Sequence, residues 1–121
     1  MKEKIMVVDD ALFMRKLISG MLKKHDYEDI IFAKDSVEAL TQYQAHHPDV
    51  VLLDITLPNE SGITVLNEIL KLDENAKIIM CSAMGQEKVI ADALRKGAKD
   101  FIVKPFQEER LIRTIASITE Q

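Results

Sequence analysis

The stretch Val50-Val51-Leu52-Leu53-Asp54 decides how the rest of the chain is interpreted. Four consecutive aliphatic residues predict a short strand that is buried on both faces, as in the middle of a parallel sheet. A carboxylate is expected at the end of such a run only where the strand emerges at the rim of the sheet. Open α/β sheets bind their ligands at that rim, outside the carboxyl ends of the strands. Asp54 is therefore the first candidate functional residue.

Further strands are predicted on both sides of this one along the chain, at residues 5–8, 30–33, 77–82 and 101–103, each built around an apolar run. Apolar residues recur at helical spacing in the segments that follow each run. Strand and helix therefore alternate five times, which predicts a parallel sheet with right-handed crossovers and helices on both faces. We expect one doubly wound α/β domain over residues 1–121, although the pattern does not give the strand order.

Local signals mark the ends of the helices. Asp35 or Ser36 is predicted to cap the second helix, and Asp35 and Glu38 have the spacing of a capping box. Gly97 is predicted to end the fourth helix in a left-handed conformation. The apolar side of the second helix is predicted to consist of Val37, Leu40 and Tyr43.

Composition excludes several classes of protein. With 47% hydrophobic and 30% charged residues, the 121-residue chain is typical of a globular domain. A formal net charge of -4 argues against a non-specific nucleic-acid binder. The sequence contains neither a signal-peptide pattern nor an apolar run long enough to cross a membrane, so we expect a cytoplasmic protein. The single cysteine, Cys81, lies in an apolar run and is expected to be buried and unreactive.

Polar or charged residues stand at the carboxyl ends of four of the five predicted strands: Asp9 and Asp10, Asp54, Ser82 and Lys104. Since the strands are parallel, all of these ends meet at one edge. Any one of these residues could instead cap a helix, decorate a turn or be a solvated charge. Their combination at the edge where such sheets bind ligands favours a functional site.

The residue types at this edge favour Mg²⁺ and phosphoryl chemistry. Carboxylates held close together need a compensating cation or a proton, and oxygen-only ligands suit Mg²⁺. The chain has no Cys/His set for zinc, and His46-His47 is predicted to be a solvated helix end. A carboxylate beside Mg²⁺ can attack a phosphoryl group to form an acyl phosphate. The metal, a lysine ammonium and a hydroxyl would then stabilise the equatorial oxygens.

The ordered set of motifs resembles the receiver domain of bacterial response regulators over essentially the whole chain. The residues that carry the resemblance are Asp9-Asp10, Asp54 with Pro58 and Gly62, Ser82-Ala83, and Lys104-Pro105. The resemblance implies the flavodoxin-like strand order 2-1-3-4-5, of which the chemotaxis regulator CheY is a known example. It also implies that a Lys-Pro bond at this position is cis, as X-Pro bonds tolerate.

The resemblance implies a role for each residue of the site. Asp54 would be the phosphoryl acceptor. Mg²⁺ would be bound directly by Asp10, more indirectly by Asp9, and by the backbone carbonyl of Thr56. Lys104 would contact the phosphoryl group, and the position of Thr56 is one that tunes dephosphorylation.

The resemblance also implies a switch. Ser82 would hydrogen-bond the phosphoryl group and draw its loop inward. Phe101 occupies the aromatic switch position, where many family members carry Tyr, although plain core packing explains this residue equally well. The surface of the fourth helix, the fifth strand and the fifth helix would then favour a partner.

Within the family, residues 11–15, 82–86 and 97–107 are most similar to stand-alone chemotaxis receivers of the CheY type. No output domain follows the last helix, so we expect a stand-alone, monomeric receiver. A histidine kinase of the CheA type would phosphorylate it, and the flagellar motor switch would bind it. Two alternatives remain: a receiver in a transcriptional or phosphorelay pathway, and an α/β hydrolase or phosphatase that uses the same acidic edge. The hydrolase or phosphatase alternative fits less well, because the sequence contains nothing that resembles a nucleophile elbow or a Gly-rich phosphate loop.

Overall fold

The computed structural model describes residues 2–120, which form one five-stranded sheet with a helix after every strand. The strands are β1 (Ile5–Val8), β2 (Ile30–Ala33), β3 (Val50–Asp54), β4 (Ile78–Ser82) and β5 (Asp100–Val103). All neighbouring strands are parallel, in the order β2-β1-β3-β4-β5. The predicted doubly wound α/β fold and the flavodoxin-like strand order are therefore confirmed.

The helices cover both faces of the sheet and bury two separate apolar clusters. They are α1 (Leu12–Lys23), α2 (Ser36–His46), α3 (Gly62–Leu72), α4 (Glu87–Lys96) and α5 (Glu108–Thr119). Side chains of α2, α3 and α4 pack on one face, and those of α1 and α5 pack on the other. Alternate residues of β3 enter the two clusters, and β1 and β3 are buried along their whole length. The centre of the sheet is thus a fixed frame for the residues at its rim.

The predicted cap of α2 is confirmed, but its predicted apolar side is partly wrong. The Asp35 carboxylate accepts a hydrogen bond from Glu38 N–H at 2.9 Å. Val37, however, is 72% exposed, and the buried residues of this helix are Ala39 and Tyr43. Val37 precedes Ala39 by two residues, which is about 200° around an α-helix and therefore places it on the opposite face.

The segment after β3 forms a short two-stranded hairpin. Residues Thr56–Leu57 pair antiparallel with Glu60–Ser61, and Asn59 adopts a positive φ of 61° between them. At the start of α3, a Cβ on Gly62 would overlap the backbone carbonyl oxygen of Asp54 and lie 2.7 Å from Ile55 Cα. The absence of a side chain at Gly62 therefore lets α3 begin directly against the end of β3.

Two other expectations from the sequence are confirmed. Gly97 ends α4 with a φ of 125°, and the Lys104–Pro105 bond is cis. Across residues 2–120, no helix combines the length and the apolar character that crossing a bilayer requires.

Candidate functional site at the carboxyl edge of the sheet

The predicted acidic residues meet at the carboxyl edge of the two central strands. Val8 of β1 pairs with Leu53 of β3, so Asp9, Asp10 and Asp54 leave the sheet at nearly the same level. One carboxylate oxygen from each of the three aspartates lies within 4.8 Å of the others. Asp9 and Asp54 are buried, whereas Asp10 is exposed. The cluster is therefore anchored on the sheet and open to solvent on one side.

Lys104 joins this cluster from the edge strand β5. Its Nζ atom lies 2.9 Å from Asp54 Oδ2 and 3.5 Å from Asp9 Oδ2. Since β4 separates β5 from β3, the side chain spans the end of a whole strand to reach these oxygens. Two of the three carboxyl groups thus contact the same lysine ammonium.

The electrostatics of the cluster follow from burial combined with this shared charge. Burial raises the pKa of the Asp54 carboxyl, and the hydrogen bond and charge of Lys104 oppose that shift without cancelling it. Burial acts to lower the pKa of Lys104, but its hydrogen bond to Asp54 and the nearby carboxylates outweigh it, so this pKa is raised. The cluster favours additional positive charge, because carboxylates in proximity stabilise a bound cation.

Ser82 lies beside the cluster at the end of β4. Cys81 is in register with Asp54, so Ser82 is one residue beyond the level of Asp54. Its hydroxyl is completely buried, and no hydrogen-bond partner for its Oγ atom is found among the described residues. Such an atom carries a desolvation cost that a new partner would remove.

Phe101 is half-buried and packs against the cluster of apolar side chains on the α2, α3 and α4 face. It also lines a shallow apolar groove between α4 and β5, together with Ile90, Leu94 and Val103. Met84, in the turn after β4, lies at the same groove and is 84% exposed. The predicted switch aromatic therefore connects the core to an accessible apolar surface.

Cys81 is buried, as the sequence predicts, in the apolar cluster of the α1 and α5 face. Burial raises the pKa of its thiol to about 12. The reactive thiolate is therefore scarce at neutral pH, and this residue takes no part in the site.

Several contacts at the site were not anticipated from the sequence. Arg15 donates to the backbone carbonyl of Asp9 at 2.7 Å. Thr56 N–H donates to the Asp54 carboxylate at 3.1 Å, and the Thr56 hydroxyl accepts a hydrogen bond from Gln86. In the sequence, Arg15 is one of several basic residues of α1, and nothing in their spacing distinguishes it from the others. Gln86 likewise carries no motif of its own, because its contacts join two loops that are remote in sequence.

The donor set at the cluster fits Mg²⁺. Only oxygen atoms are offered, and Mg²⁺ binds through one or two carboxylates while it keeps several water molecules. The exposed carboxylate of Asp10 leaves room for that water, and the buried carboxylates of Asp9 and Asp54 set the position of the site.

The profile of the response regulator receiver domain matches residues 5–116 of the chain. This chain belongs to the receiver domain family. The receiver is 49% identical over 115 residues to the chemotaxis protein CheY of Bacillus subtilis, with 95% of this chain and 96% of that protein covered. Receiver domains are signalling modules that bind Mg²⁺ at an acidic pocket, and the cluster of Asp9, Asp10 and Asp54 corresponds to such a pocket.

Two solved structures show how widely this architecture is used. The CheY chain in a CheX-CheY-BeF3-Mg²⁺ complex from Borrelia burgdorferi is 38% identical and superposes with a TM-score of 0.91, covering 98% of this chain and 90% of that one. NtrX from Brucella abortus is 35% identical with a TM-score of 0.93 over 99% of this chain. The receiver spans only 27% of the NtrX chain. The fold of this chain therefore occurs both in chemotaxis proteins and as one part of longer regulators.

Proposed function

We propose that the receiver accepts one phosphoryl group on Asp54, in a reaction that requires Mg²⁺, from the phosphohistidine of a sensor kinase. The observation that supports this most directly is the environment of the Asp54 carboxylate. It is buried at the ligand-binding edge of the sheet, lies 2.9 Å from the Lys104 ammonium, and has an oxygen within 4.8 Å of Asp9 and Asp10. A single carboxylate at this edge would suggest only a structural role. Asp54 instead lies among the charged groups that a phosphoryl transfer needs.

In the proposed reaction, an Asp54 carboxylate oxygen attacks the phosphorus atom of the donor. A P–O bond forms and the P–N bond to histidine breaks. The histidine nitrogen keeps the electron pair and takes a proton from solvent. Lys104, already hydrogen-bonded to Asp54, moves onto a phosphoryl oxygen and compensates its charge.

Asp9, Asp10 and the Thr56 carbonyl would hold the Mg²⁺, with Asp54 as a further ligand before phosphorylation. When bound, Mg²⁺ supplies positive charge against the phosphoryl oxygens. The chain's own contribution is to fix the carboxylates on β1 and β3 before the donor arrives, which reduces reorganisation during the reaction. As a phosphoacceptor, the receiver would catalyse only its own phosphorylation and dephosphorylation.

The product would act through Ser82 and Phe101. A phosphoryl oxygen would offer the buried Ser82 hydroxyl a hydrogen-bond partner, which no other described residue supplies. Movement of Ser82 towards Asp54 would open space for Phe101 to turn inward, which reshapes the groove between α4 and β5. A change from about 1:99 to 99:1 between two conformations needs roughly 5.5 kcal/mol of differential stabilisation. New charge-assisted hydrogen bonds to the phosphoryl group contribute to that amount.

For the pathway, we propose chemotaxis, with phosphorylation by a CheA-like kinase and binding to a flagellar motor switch protein. The proposal is supported by the identity to CheY proteins that match this chain over nearly their whole length, including that of Thermotoga maritima at 43% over 120 residues. We further propose that residues 1–121 act as a single receiver domain, monomeric and cytoplasmic. The alternative is a transcriptional or phosphorelay receiver, which the likeness to NtrX keeps open.

Intact-mass spectrometry after incubation with acetyl phosphate tests the chemistry. We expect one phosphoryl adduct that requires Mg²⁺, is absent in Asp54→Ala, and persists in the control Asp29→Ala, whose carboxylate is exposed and lies outside the site. Continued turnover of an exogenous phosphoester would instead support a phosphatase. If no adduct forms under conditions that phosphorylate another receiver, the acidic residues have only a structural role and the proposed phosphorylation is wrong.

A second experiment tests the switch and the pathway. We expect phosphorylation to increase binding to the motor switch protein of the same organism, and Phe101→Ala to weaken that increase. Unchanged phosphorylation-dependent binding in Phe101→Ala would exclude this aromatic residue from the switch. Efficient phosphotransfer only from a kinase of a transcriptional system would favour the alternative pathway.

A further inference from the structure

The side chain of Gln86 ties the turn after β4 to the loop after β3. Its Oε1 atom accepts a hydrogen bond of 2.7 Å from Ala83 N–H, and its Nε2 atom donates to Thr56 Oγ1 at 3.2 Å. Thr56 N–H in turn donates to the Asp54 carboxylate. Three hydrogen bonds, by way of Thr56 and Gln86, therefore connect Asp54 with Ala83 in the turn that follows Ser82.

We propose that the Gln86 amide is a latch, which holds this turn in its resting position and is released when Asp54 is phosphorylated. The inference rests on the proposed function and adds to it a residue that sets the balance between the two states. Gln86 is a positioning residue, because the hydrogen bonds of its amide in the described structure go to Thr56 and Ala83 and none goes to a carboxylate of the acidic cluster.

Release follows from competition for the Ala83 N–H. This donor directly follows Ser82, and Cys81 is in register with Asp54, so the N–H group lies at the same edge as the acceptor. A phosphoryl group brings three strong acceptor oxygens and close to two negative charges. Hydrogen bonds to a charged acceptor are about twice as strong as those between neutral groups. The neutral amide oxygen of Gln86 is therefore the weaker acceptor, and the phosphoryl group displaces it.

The latch also has a route to the partner surface. Gln86 immediately precedes α4, and its side chain makes no capping hydrogen bond to that helix because both ends of the amide are engaged elsewhere. The adjoining Gly85 has a φ of 90° and no atom within 4 Å of the place a Cβ would take. Loss of the two amide contacts would free this turn and the first residues of α4, which border the groove around Phe101.

Binding of beryllofluoride, a phosphoryl mimic, in the presence of Mg²⁺ tests the latch. Affinity is measured by isothermal titration calorimetry for wild type, Gln86→Ala, Thr56→Val and the double variant, with Gln44→Ala on the exposed part of α2 as a control. We expect Gln86→Ala to bind beryllofluoride about three- to tenfold tighter, since neutral hydrogen bonds of the resting state are lost. Thr56→Val should give a smaller gain, and the double variant should equal Gln86→Ala because both substitutions remove the same contact.

The amide proton of Ala83 gives a second readout that a general loss of stability would not reproduce. In ¹H-¹⁵N spectra, Gln86→Ala should shift this proton upfield, because its hydrogen bond is lost. Beryllofluoride should shift it downfield in the wild type, because a charged acceptor replaces the amide oxygen. Thermal unfolding of each variant checks that the fold is retained.

The outcomes separate the latch from the function on which it rests. If the wild type binds beryllofluoride but Gln86→Ala binds it equally or more weakly, the latch is wrong and the proposed function stands. An Ala83 amide proton that does not move in Gln86→Ala would also overturn the latch. Additive effects of the two substitutions would show that Thr56 and Gln86 act separately, which contradicts it too. If the wild type neither binds beryllofluoride nor takes a phosphoryl group, the proposed function fails and the latch with it.

Discussion

The two halves of the carboxyl edge differ in what each of them lacks. The acidic half consists of Asp9, Asp10, Asp54 and Lys104, in which three carboxyl groups lie close together and two of them contact the Lys104 ammonium. The switch half consists of Ser82, Ala83, Gln86 and Phe101, in which a buried hydroxyl has no partner among the described residues. The first half favours a further cation, and the second favours a further acceptor. In the proposed reaction, Mg²⁺ would supply the cation and the phosphoryl group would supply the acceptor, so that one reaction would satisfy both halves.

The halves also differ in how firmly they are held. The aspartates of the acidic half stand at the ends of β1 and β3, whose residues are buried along their whole length. In the switch half, Ser82 likewise ends a fully buried strand, β4, but the residues that directly follow it are not buried. The switch half includes a turn in which Met84 is 84% exposed and Gly85 has a positive φ. Segments with few buried apolar contacts open at lower free-energy cost than core strands. We therefore expect the acidic half to act as the fixed part of the site and the switch half as the part that moves.

The largest expected effect comes from breaking the fixed half with Gly62→Ala. The new methyl group would overlap the carbonyl oxygen of Asp54, which is backbone and cannot rotate away. We expect the free energy of unfolding to fall by about 3 kcal/mol, as forced overpacking does, with weaker Mg²⁺ binding. Gly20→Ala is the control, because a Cβ there meets no atom within 4 Å. Urea unfolding should show the control to be more stable than wild type by up to about 1 kcal/mol.

A stability of Gly62→Ala within error of the wild type would show that the end of β3 can yield, and that the acidic half is less rigid than we infer.

The next effect tests the charge balance of the acidic half. Lys104→Met removes the ammonium that lies 2.9 Å from Asp54 and thus removes a competitor of Mg²⁺. We expect Mg²⁺ to bind roughly tenfold tighter by calorimetry, since a cation close to carboxylates interacts favourably with their charged form. Lys99→Met makes the same change of net charge at an exposed position and should leave Mg²⁺ affinity nearly unchanged. Equal effects of the two substitutions would assign the result to net charge alone.

A smaller effect sharpens the contrast in the switch half. Ser82→Ala removes a buried hydroxyl that has no hydrogen-bond partner within residues 2–120, so we expect the free energy of unfolding to rise by about 1 kcal/mol in the absence of Mg²⁺. Ser61→Ala makes the same chemical change at the N-cap of α3, where the hydroxyl accepts a hydrogen bond from Ile63 N–H. That control should be less stable by about 1 kcal/mol. A loss of stability in both variants would mean that Ser82 is already satisfied in the resting protein.

The smallest expected effect is the pH dependence of Asp54. Burial raises the pKa of its carboxyl in the folded state, so the stability that its protonated form contributes is complete below the unfolded pKa and is lost as the pH rises. Without Mg²⁺, Asp54→Asn should therefore be more stable than wild type at pH 7, and the difference should shrink towards pH 4. Urea unfolding of both proteins at pH 7 and pH 4 measures this difference in the free energy of unfolding. A less stable Asn variant at pH 7 would mean that Lys104 fully compensates the buried charge.

Much of the fold and of the acidic half could be predicted from the sequence. Short apolar runs in alternation with helical segments determine a parallel sheet, because each element has to bury its apolar face against another. The run that ends in Asp54 determines that a carboxylate stands at the edge where ligands bind. The motifs at the other strand ends indicate the same edge for Asp9, Asp10, Ser82 and Lys104. These are properties of local pattern and chain direction, which a sequence contains in full.

Only the tertiary structure decided which of these groups contact each other. Lys104 reaches Asp54 and Asp9 across 50 and 95 residues of sequence, and the strand order alone brings it there. Gln86 meets Thr56 from 30 residues away through a particular orientation of its side chain. The need for glycine at position 62 comes from the carbonyl oxygen of Asp54, which a Cβ would overlap. The Ser82 hydroxyl is buried where none of the described residues offers it a hydrogen-bond partner. The pattern of apolar and polar residues determines at which edge of the sheet a side chain lies. Its contacts depend on the distances between helices, strands and loops that meet only in the folded chain.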